Sequence, residues 1–420
     1  MITQFAVFAF WNLAILAFVQ ALMATSYLRA LNRGTRRLKP DMSCPKVAVV
    51  LCARGPDPFL ADTVEALLAQ DYPDFDIRIV VDSREDPAWE IVEDVVQRSD
   101  KSNVRILPLT NRRRTCSLKI ASVLQGMDTL DDSHEAIVML DSDTVPHAQW
   151  LCELIAPLED GQVGAASGNR WYMPSDCTWG SLVRFAWNVA AVVPMYLYRI
   201  AWGGSMSVSM KAFRGTDLRD RLAEAFGEDS TICRSLIRQK LRISFVPSAM
   251  MVNRETCSIR GFYRFLIRQL LTVRLHNPWW WAVVAHCLLT ATGQLLALAG
   301  LIAGMSAGNW AAMAWTGSGL VMYLSAMVLL LSAMEIFVRR IVRARGEAAN
   351  WISPLTGVRL VLAIPLTQAV YTVGLIHTMF ARTHRWRGIV YRFGGNPRVY
   401  VTEDLPFKEA APEVASTTSL

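Results

Sequence analysis

The sequence predicts an α/β domain that is attached to membrane helices at both ends. Hydrophobic residues make up 52% and charged residues 19% of the 420 residues, a balance that is apolar for a soluble protein and polar for a pure membrane bundle. Long apolar segments occur near both ends of the chain. Between them, short apolar runs alternate with amphipathic runs, which is typical of a parallel sheet with helices on both faces.

The N-terminal apolar segment, residues 1–28, is predicted to be a transmembrane helix. The run from Phe5 to Leu28 carries almost no charge and is long enough to span a bilayer. Basic residues follow the run instead of preceding it, which is the reverse of the order in a signal peptide. Because excess Lys and Arg mark the cytoplasmic flank of a membrane helix, we expect the N-terminus outside and the following domain in the cytoplasm.

Residues 278–381 are predicted to form a C-terminal membrane region. Three consecutive tryptophans, 279–281, open it as an aromatic belt would. Apolar runs follow at about 278–305, 311–338 and 356–381. The first two predict a hairpin that returns to the cytoplasm at Arg339. The third contains Pro365 and has basic residues on both sides, so it either spans the membrane or is re-entrant.

Three other segments flank these regions. The apolar run Val183–Ala201 contains Arg and Pro residues, which indicates either a core helix or a helix lying on the bilayer surface, and we favour the latter. Residues 257–277 are both basic and apolar and are expected to form an interfacial helix. Residues 382–420 are expected to be a tail, which is disordered after Lys408 because it is rich in Ala, Thr and Ser.

The α/β domain is assigned to residues 44–256. Its predicted strands are 46–52, 77–81, 104–107 and 136–140, and its predicted helices are 61–68, 87–96 and 118–127. In such sheets, ligands bind beyond the carboxyl ends of the strands. Asp82 and Asp141 stand at two of these ends and are therefore candidate site residues.

Asp141-Ser142-Asp143 places two carboxylates directly after a buried strand. A turn there can bring both side chains to one cation. Their hard oxygen atoms suit Mg²⁺ or Mn²⁺, and either ion can bridge to phosphate. The alternative is an ordinary strand-end turn, because Asp and Ser are common turn formers.

Other candidate segments also have two interpretations. Glu228-Asp229 opens a predicted helix, either as a helix cap or as a general base. Trp202-Gly203-Gly204 is either a simple turn or a place where the backbone approaches a ligand closely. In the basic helix, Arg268, Gln269 and Arg274 either border the bilayer or surround a diphosphate, since the arginine fork suits phosphate oxygens.

Several functional classes lack their motifs. The sequence has no Gly-x-x-x-x-Gly-Lys-[Ser/Thr], no His-Glu-x-x-His and no Gly-x-Ser-x-Gly. The 8 cysteines include no Cys-x-x-Cys, so we expect reduced, buried thiols. Most basic clusters adjoin apolar segments, and nucleic acid is therefore not expected as a partner.

The order of these motifs resembles the family 2 glycosyltransferases with a GT-A fold, and within them the ceramide glucosyltransferase-like branch, family 21. The segments 53–58 (Ala-Arg-Gly-Pro-Asp-Pro), 71–73 (Asp-Tyr-Pro) and 86–88 (Asp-Pro-Ala) also match wording typical of that branch. The resemblance extends from about Lys46 to His276 with the flanking helices. It implies an α/β GT-A (Rossmann-like) cytoplasmic domain with N-terminal and C-terminal transmembrane helices.

The resemblance also implies roles for individual residues. Asp82 would contact the uracil or its ribose, although Glu85 and Asp86 are competing positions. Asp141 and Asp143 would hold Mg²⁺ or Mn²⁺ and the diphosphate, and Asp229 would be the catalytic base of an inverting transfer. The remaining nucleotide-sugar contacts would come from Lys119, Trp202, Gly203, Arg268, Gln269 and Arg274.

The last family motif, Gln/Arg-x-x-Arg-Trp, is incomplete. Gln269 is present, but no Arg-Trp occurs in its helix. Arg268 or Arg274 is the candidate replacement.

The expected activity is transfer of a glucose-type sugar from a UDP-sugar to a lipid such as ceramide, diacylglycerol or hopanoid, with inversion. The expected location is the cell (inner) membrane, with several spans and a cytoplasmic catalytic domain. A processive polysaccharide synthase is the first alternative, and a non-catalytic membrane scaffold or transporter is the second. The sequence does not predict the oligomeric state.

Overall fold

The computed structural model describes residues 1–33, 44–349, 353–395, 398–405 and 407. The helices are α1 (Ile2–Leu31), α2 (Leu60–Leu68), α3 (Pro87–Gln97), α4 (Leu118–Met127), α5 (Trp150–Ile155), α6 (Trp179–Leu197), α7 (Leu218–Leu222), α8 (Glu228–Arg238), α9 (Ile259–His276), α10 (Trp280–Ser306), α11 (Trp310–Ala344) and α12 (Pro354–Phe380). The strands are β1 (Val47–Ala53), β2 (Phe75–Val81), β3 (Val104–Pro108), β4 (Ala136–Asp141), β5 (Val163–Ser167), β6 (Arg170–Tyr172), β7 (Ser205–Ser209), β8 (Arg242–Phe245), β9 (Met251–Asn253), β10 (Thr383–Trp386), β11 (Ile389–Phe393) and β12 (Val399–Asp404).

The central sheet has seven strands in the order β3-β2-β1-β4-β7-β5-β8. The first four in this order are parallel, as predicted, but β7 runs antiparallel to β4 and β5. The four predicted strands are therefore parallel as expected, and the later strand β7 makes the whole sheet mixed. The reason is local: Gly204 accepts a hydrogen bond from the Asp141 backbone, so β7 begins at the edge where β4 ends.

Alternating side chains of the buried strands build a core on each face of the sheet. Val50 and Met139 belong to the core that includes α4, whereas Val49 packs in the core with Val64 of α2 and Val92 of α3. The register places Cys52 of β1 opposite Asp141 of β4 and Ala53 opposite Val81. The ends of β1, β2 and β4 therefore meet at one edge.

Four helices in the described part of the chain are long and apolar enough to cross a membrane: α1, α10, α11 and α12. The first three pack against one another. At one end of this bundle Asn309 donates a hydrogen bond to Thr3 (3.1 Å), and further along Tyr323 donates one to Gln20 (2.9 Å). These helices confirm the predicted N-terminal helix and C-terminal hairpin as apolar helices.

Helix α12 continues through Pro365 without a break. Near its beginning, Thr356 lies 2.8 Å from the sulfur of Cys177, which belongs to the α/β domain. At its end, Arg274 of α9 donates hydrogen bonds to the carbonyls of Met379 (3.0 Å) and Ala381 (2.7 Å). The first turn of α12 therefore contacts the α/β domain, and its last turn contacts α9.

Helix α6 is packed into the protein and does not lie on its surface. Residues 180–186 on its first turns are buried, although Trp179 at its start is exposed, and the helix contacts α1, α9 and α12. Its buried Arg184 pairs with Glu255 at 3.3 Å, which offsets the cost of burying the charge. This packing fits the core-helix interpretation of the 183–201 segment better than the surface helix that the sequence favoured.

The segment after residue 381 is more than a tail. Strands β10, β11 and β12 form an antiparallel sheet, and Val401 on it donates a backbone hydrogen bond to Arg114 of the α/β domain (2.8 Å). Its buried Tyr391 and Phe393 pack against Phe226. The domain boundary expected at 382 therefore misses a structural unit. The predicted disorder after Lys408 falls outside the described residues.

Candidate active site

A pocket lies at the carboxyl ends of β1, β2 and β4. The sequence-predicted residues that line it are Asp82, Lys119, Asp141, Asp143, Trp202, Gly203, Asp229, Arg268 and Gln269. These residues come from positions far apart in the chain. The fold thus brings nearly all of the predicted site together.

Asp141 and Asp143 share the guanidinium of Arg170. One nitrogen of Arg170 lies 2.7 Å from Asp141 and 3.3 Å from Asp143. Burial alone would raise the pKa of Asp141, but Lys119 (2.6 Å) and Arg170 outweigh it and lower that pKa. Burial raises the pKa of Asp143, with further repulsion from Asp141 and Asp57. The pKa values of the two neighbouring carboxylates are therefore shifted in opposite directions.

No group of three or more His, Cys, Asp or Glu side chains is arranged to hold a metal ion within the described ranges. The Asp141–Asp143 pair offers two carboxylates. This donor set matches the way Mg²⁺ is commonly held, by one or two carboxylates with substrate phosphates completing the shell. The residues present therefore fit a metal that binds together with a diphosphate.

Lys119 connects two parts of the pocket. Its backbone lies in the first turn of α4, and its ammonium group pairs with both Asp141 and Glu228. Gly203 lies against Glu228, where an added Cβ would overlap the carboxylate, and Gly204 lies as closely against Asp141. The paired glycines therefore let the backbone lie close to two carboxylates of the pocket, and a close approach to a ligand stays a prediction.

Asp229 lies in the first turn of α8 and accepts a hydrogen bond from the backbone of Ser230. A helix N-terminus favours a carboxylate. Here burial is the larger effect, and together with the neighbouring Glu228 it raises the pKa of Asp229 to about 7. A carboxylate with a pKa near neutrality is suited to accepting a proton at physiological pH.

Asp82 is buried between two arginines at the other end of the pocket. Arg54 pairs with one oxygen, and Arg112 lies 2.8 Å from the other. Asp86 has other partners: its side chain caps the N-terminus of α3 and accepts a hydrogen bond from the backbone of Gly55 (2.9 Å). Of the two carboxylates, Asp82 is therefore the one that lines the pocket.

Arg274 is not brought to the pocket. All of its hydrogen bonds go to carbonyl groups at the end of α12, including Met379 and Ala381. These orphan carbonyls attract a cation at a helix C-terminus. The expected nucleotide-sugar contact from Arg274 is therefore corrected: the residue fastens α9 to α12. Arg268 and Gln269, one turn earlier, do line the pocket.

A comparison with known protein families matches most of the chain. Residues 9–399 match the model of the family described as glycosyl transferase family 21. The chain belongs to glycosyl transferase family 21. This confirms the resemblance, and the matched range includes the membrane helices and most of the C-terminal sheet.

Solved structures agree on the fold of this family 21 transferase. A mannosyltransferase from Pyrobaculum calidifontis, solved with GDP-mannose and Mn²⁺, is 17% identical with a TM-score of 0.56, and the match covers 89% of this chain and 99% of that one. Glucosyl-3-phosphoglycerate synthase from Mycobacterium tuberculosis, solved with Mn²⁺ and UDP-glucose, is 14% identical with a TM-score of 0.38 over 57% and 86% of the two chains. A comparison with curated proteins found no match. The mannosyltransferase match confirms the GT-A fold.

Some residues that line the pocket of the transferase were missed in the sequence. Arg170 and Asp57 come from loops and short elements, and Trp386, Arg387 and Tyr391 come from the C-terminal sheet. The Ala53–Pro58 motif was a usable signal for Asp57. Nothing in the local sequence indicates that a segment beyond the last apolar helix returns to the catalytic domain.

A second, largely apolar cavity adjoins the pocket of the transferase. It is enclosed by α1, α6, α9, α10, α11 and α12. Asp229, Gln269 and Thr272 line both spaces, so the cavity opens beside the carboxylate of Asp229. An apolar cavity of this kind suits a hydrophobic chain.

Proposed function

We propose that the protein transfers a sugar, with inversion, from a UDP-sugar to the hydroxyl group of a lipid. One observation carries the proposal: the polar pocket and the apolar cavity meet at Asp229. A lipid in the cavity would present its polar end to that carboxylate. The sugar nucleotide would occupy the pocket on the other side.

The charges in the pocket support a nucleoside diphosphate as the leaving group. Lys119, Arg170 and Arg268 converge near Asp141 and Asp143. Asp141 and Asp143 would hold Mg²⁺ or Mn²⁺, which supplies positive charge to the phosphates. Fixed cations that face a developing negative charge are among the largest contributions to catalysis. Asp82 would contact the uracil or ribose at the far end.

In the proposed reaction, Asp229 accepts the proton of the acceptor hydroxyl as the oxygen attacks the anomeric carbon. Lys119 and Arg268 face the departing diphosphate and stabilise it. Trp202 forms one wall, with Arg170 stacked at 4.8 Å from its ring centroid. This stacking fixes Arg170 toward the carboxylate pair. Attack from the face opposite the leaving group inverts the anomeric configuration.

The membrane arrangement supports a cytoplasmic catalytic domain in the cell membrane. Arg29 lies in the last turn of the first apolar helix, and Arg33 follows that helix. Both basic residues are at the end from which the chain continues into the domain. The acceptor would enter from the adjoining leaflet, between α6 and the membrane helices. This route agrees with the apolar residues of α6 that line the cavity, including Val189 and Val193.

Binding of UDP in the presence of Mn²⁺ tests the donor site. Asp143→Ala removes one carboxylate of the proposed metal pair, and we expect at least a tenfold loss of UDP affinity in Mn²⁺ and little change in chelator. Asp94→Ala, which removes an exposed carboxylate paired only with Arg98, is the matched control and should bind as the wild type does. Calorimetry gives both affinities. Equal Mn²⁺-dependent affinity for Asp143→Ala and wild type would exclude this metal site.

A further inference from the structure

The turn between β10 and β11 reaches into the active-site pocket. Trp386 and Arg387 at this turn both line the pocket beside Arg268. Arg387 has a left-handed backbone (φ 46°), which is uncommon for a residue with a side chain. Its carbonyl accepts a hydrogen bond from Arg54 (2.9 Å), and its guanidinium pairs with Asp57 (2.9 Å). These contacts hold the turn in one position.

Two buried hydrogen-bond donors, one at this turn and one on α9 beside it, have no partner among the described residues. They are the indole Nε1 of Trp386 and the Nε of Arg268. No described carboxylate lies within ion-pair distance of Arg268 either, whereas Lys119 and Arg170 in the same pocket each have two. Buried donors of this kind are rare in native proteins and call for an explanation.

The two groups are also fixed relative to each other. The guanidinium of Arg268 lies 4.5 Å from the centroid of the Trp386 ring. A cation over an indole face is attracted by the ring and held in a defined orientation. The turn and α9 therefore present an N–H donor and an unpaired cation side by side. Such a pair is complementary to an anion with several acceptor oxygens.

We propose that the β10–β11 turn forms part of the donor site, where the Trp386 indole N–H donates a hydrogen bond to a phosphate oxygen of the nucleoside diphosphate and the Trp386 ring positions Arg268 for a second contact. This inference rests on the proposed function, because it takes the pocket to be the donor site. It also accounts for the incomplete motif in α9. The family motif would place an arginine and a tryptophan after Gln269 in α9. Here a tryptophan and an arginine, Trp386 and Arg387, reach the pocket from the C-terminal sheet instead.

UDP affinity of the full chain in detergent, with Mn²⁺, tests the proposal. Trp386→Phe keeps an aromatic ring beneath Arg268 but removes the N–H donor. We expect UDP affinity to fall about tenfold or more, since a hydrogen bond to a charged group is lost. Arg392→Ala is the matched control: it is exposed on β11 of the same sheet, does not line the pocket, and should leave the affinity unchanged.

The affinity for uridine, measured by its displacement of bound UDP, distinguishes the loss of a phosphate contact from general damage to the site. Trp386→Phe should weaken UDP and leave uridine unaffected. Equal UDP affinity in Trp386→Phe and wild type would overturn the inference, and so would an equal loss for uridine and UDP. If the wild type binds neither UDP nor GDP, the proposed function fails first and the inference fails with it.

Discussion

Asp229 lies at the junction of a charged pocket and an apolar cavity, and this position determines its chemistry. Burial and the neighbouring Glu228 raise its pKa to about 7. An exposed carboxylate with its ordinary pKa would be ionised at neutral pH but would be a much weaker base. The same apolar wall that suits a lipid acceptor therefore also makes Asp229 a stronger base.

The pH dependence of transfer follows from this shift. Only the ionised form of Asp229 can accept a proton, so the rate should fall below about pH 7, by about tenfold for each further pH unit. Glu228→Gln removes a nearby negative charge, lowers the pKa of Asp229 and should move the acidic limb to lower pH. The turnover rate at saturating donor, measured from pH 5 to 9, checks both curves. An acidic limb that stays at the same pH in Glu228→Gln would contradict this assignment.

Residues next to a strand end or at a helix start could be predicted from the sequence, because local pattern places them. Asp82, Asp141 and Asp143 directly follow apolar strands, and Asp229 opens a helix. Arg170 could not be predicted in this way, since its role depends on a contact with Asp141 across 29 positions. The predicted role of Arg274 was wrong for a related reason. The sequence shows that α9 carries a cation at this position, but not which way its side chain points.

At the scale of elements, helix α12 differs from the other long apolar helices. Its exposed apolar residues form a single stripe at helical spacing: Leu355, Val358, Leu362, Val373, Ile376 and Phe380. The opposite face, with Leu360, Ala363 and Leu375, is buried against the protein. Because the first turn of α12 contacts the α/β domain and the sheet that follows its last turn also contacts that domain, we expect α12 to lie along the membrane surface with this stripe toward lipid.

Reporter fusions test the orientation of α12. One reporter is placed after residue 349, beyond α11, and another at the C-terminus of the chain. We expect both reporters on the same, cytoplasmic side, because α12 does not cross. A reporter fused to the N-terminus should be found outside and serves as the control. Opposite locations for the two C-terminal reporters would show that α12 spans the membrane.

Most elements were predictable because hydrophobic periodicity is local. The strands and helices between Val47 and Asp141 begin and end within about two residues of the predicted positions. The orientation of α12 was not predictable, since an apolar helix has the same composition whether it crosses a membrane or lies in its plane. The sheet β10–β12 was missed because it acquires a core only by packing on Phe226.

At the scale of the whole molecule, the fold places two unlike environments in contact. The GT-A domain supplies the polar pocket, and α1, α10 and α11 with α6, α9 and α12 enclose the apolar cavity. The sequence could predict that both parts exist. It could not predict that they meet at Asp229, Gln269 and Thr272, because that contact depends on how α8 and α9 pack beneath the membrane helices.

The most direct test of lipid glycosylation follows radiolabelled sugar from a UDP-sugar in membranes that contain the full chain. We expect the label in a lipid extracted into organic solvent, and about 10²- to 10⁴-fold less of it with Asp229→Asn, which keeps the side-chain shape but cannot act as a base. Asp229→Asn should still bind UDP with Mn²⁺. Label in a long water-soluble polymer, or wild-type transfer by Asp229→Asn, would contradict the account.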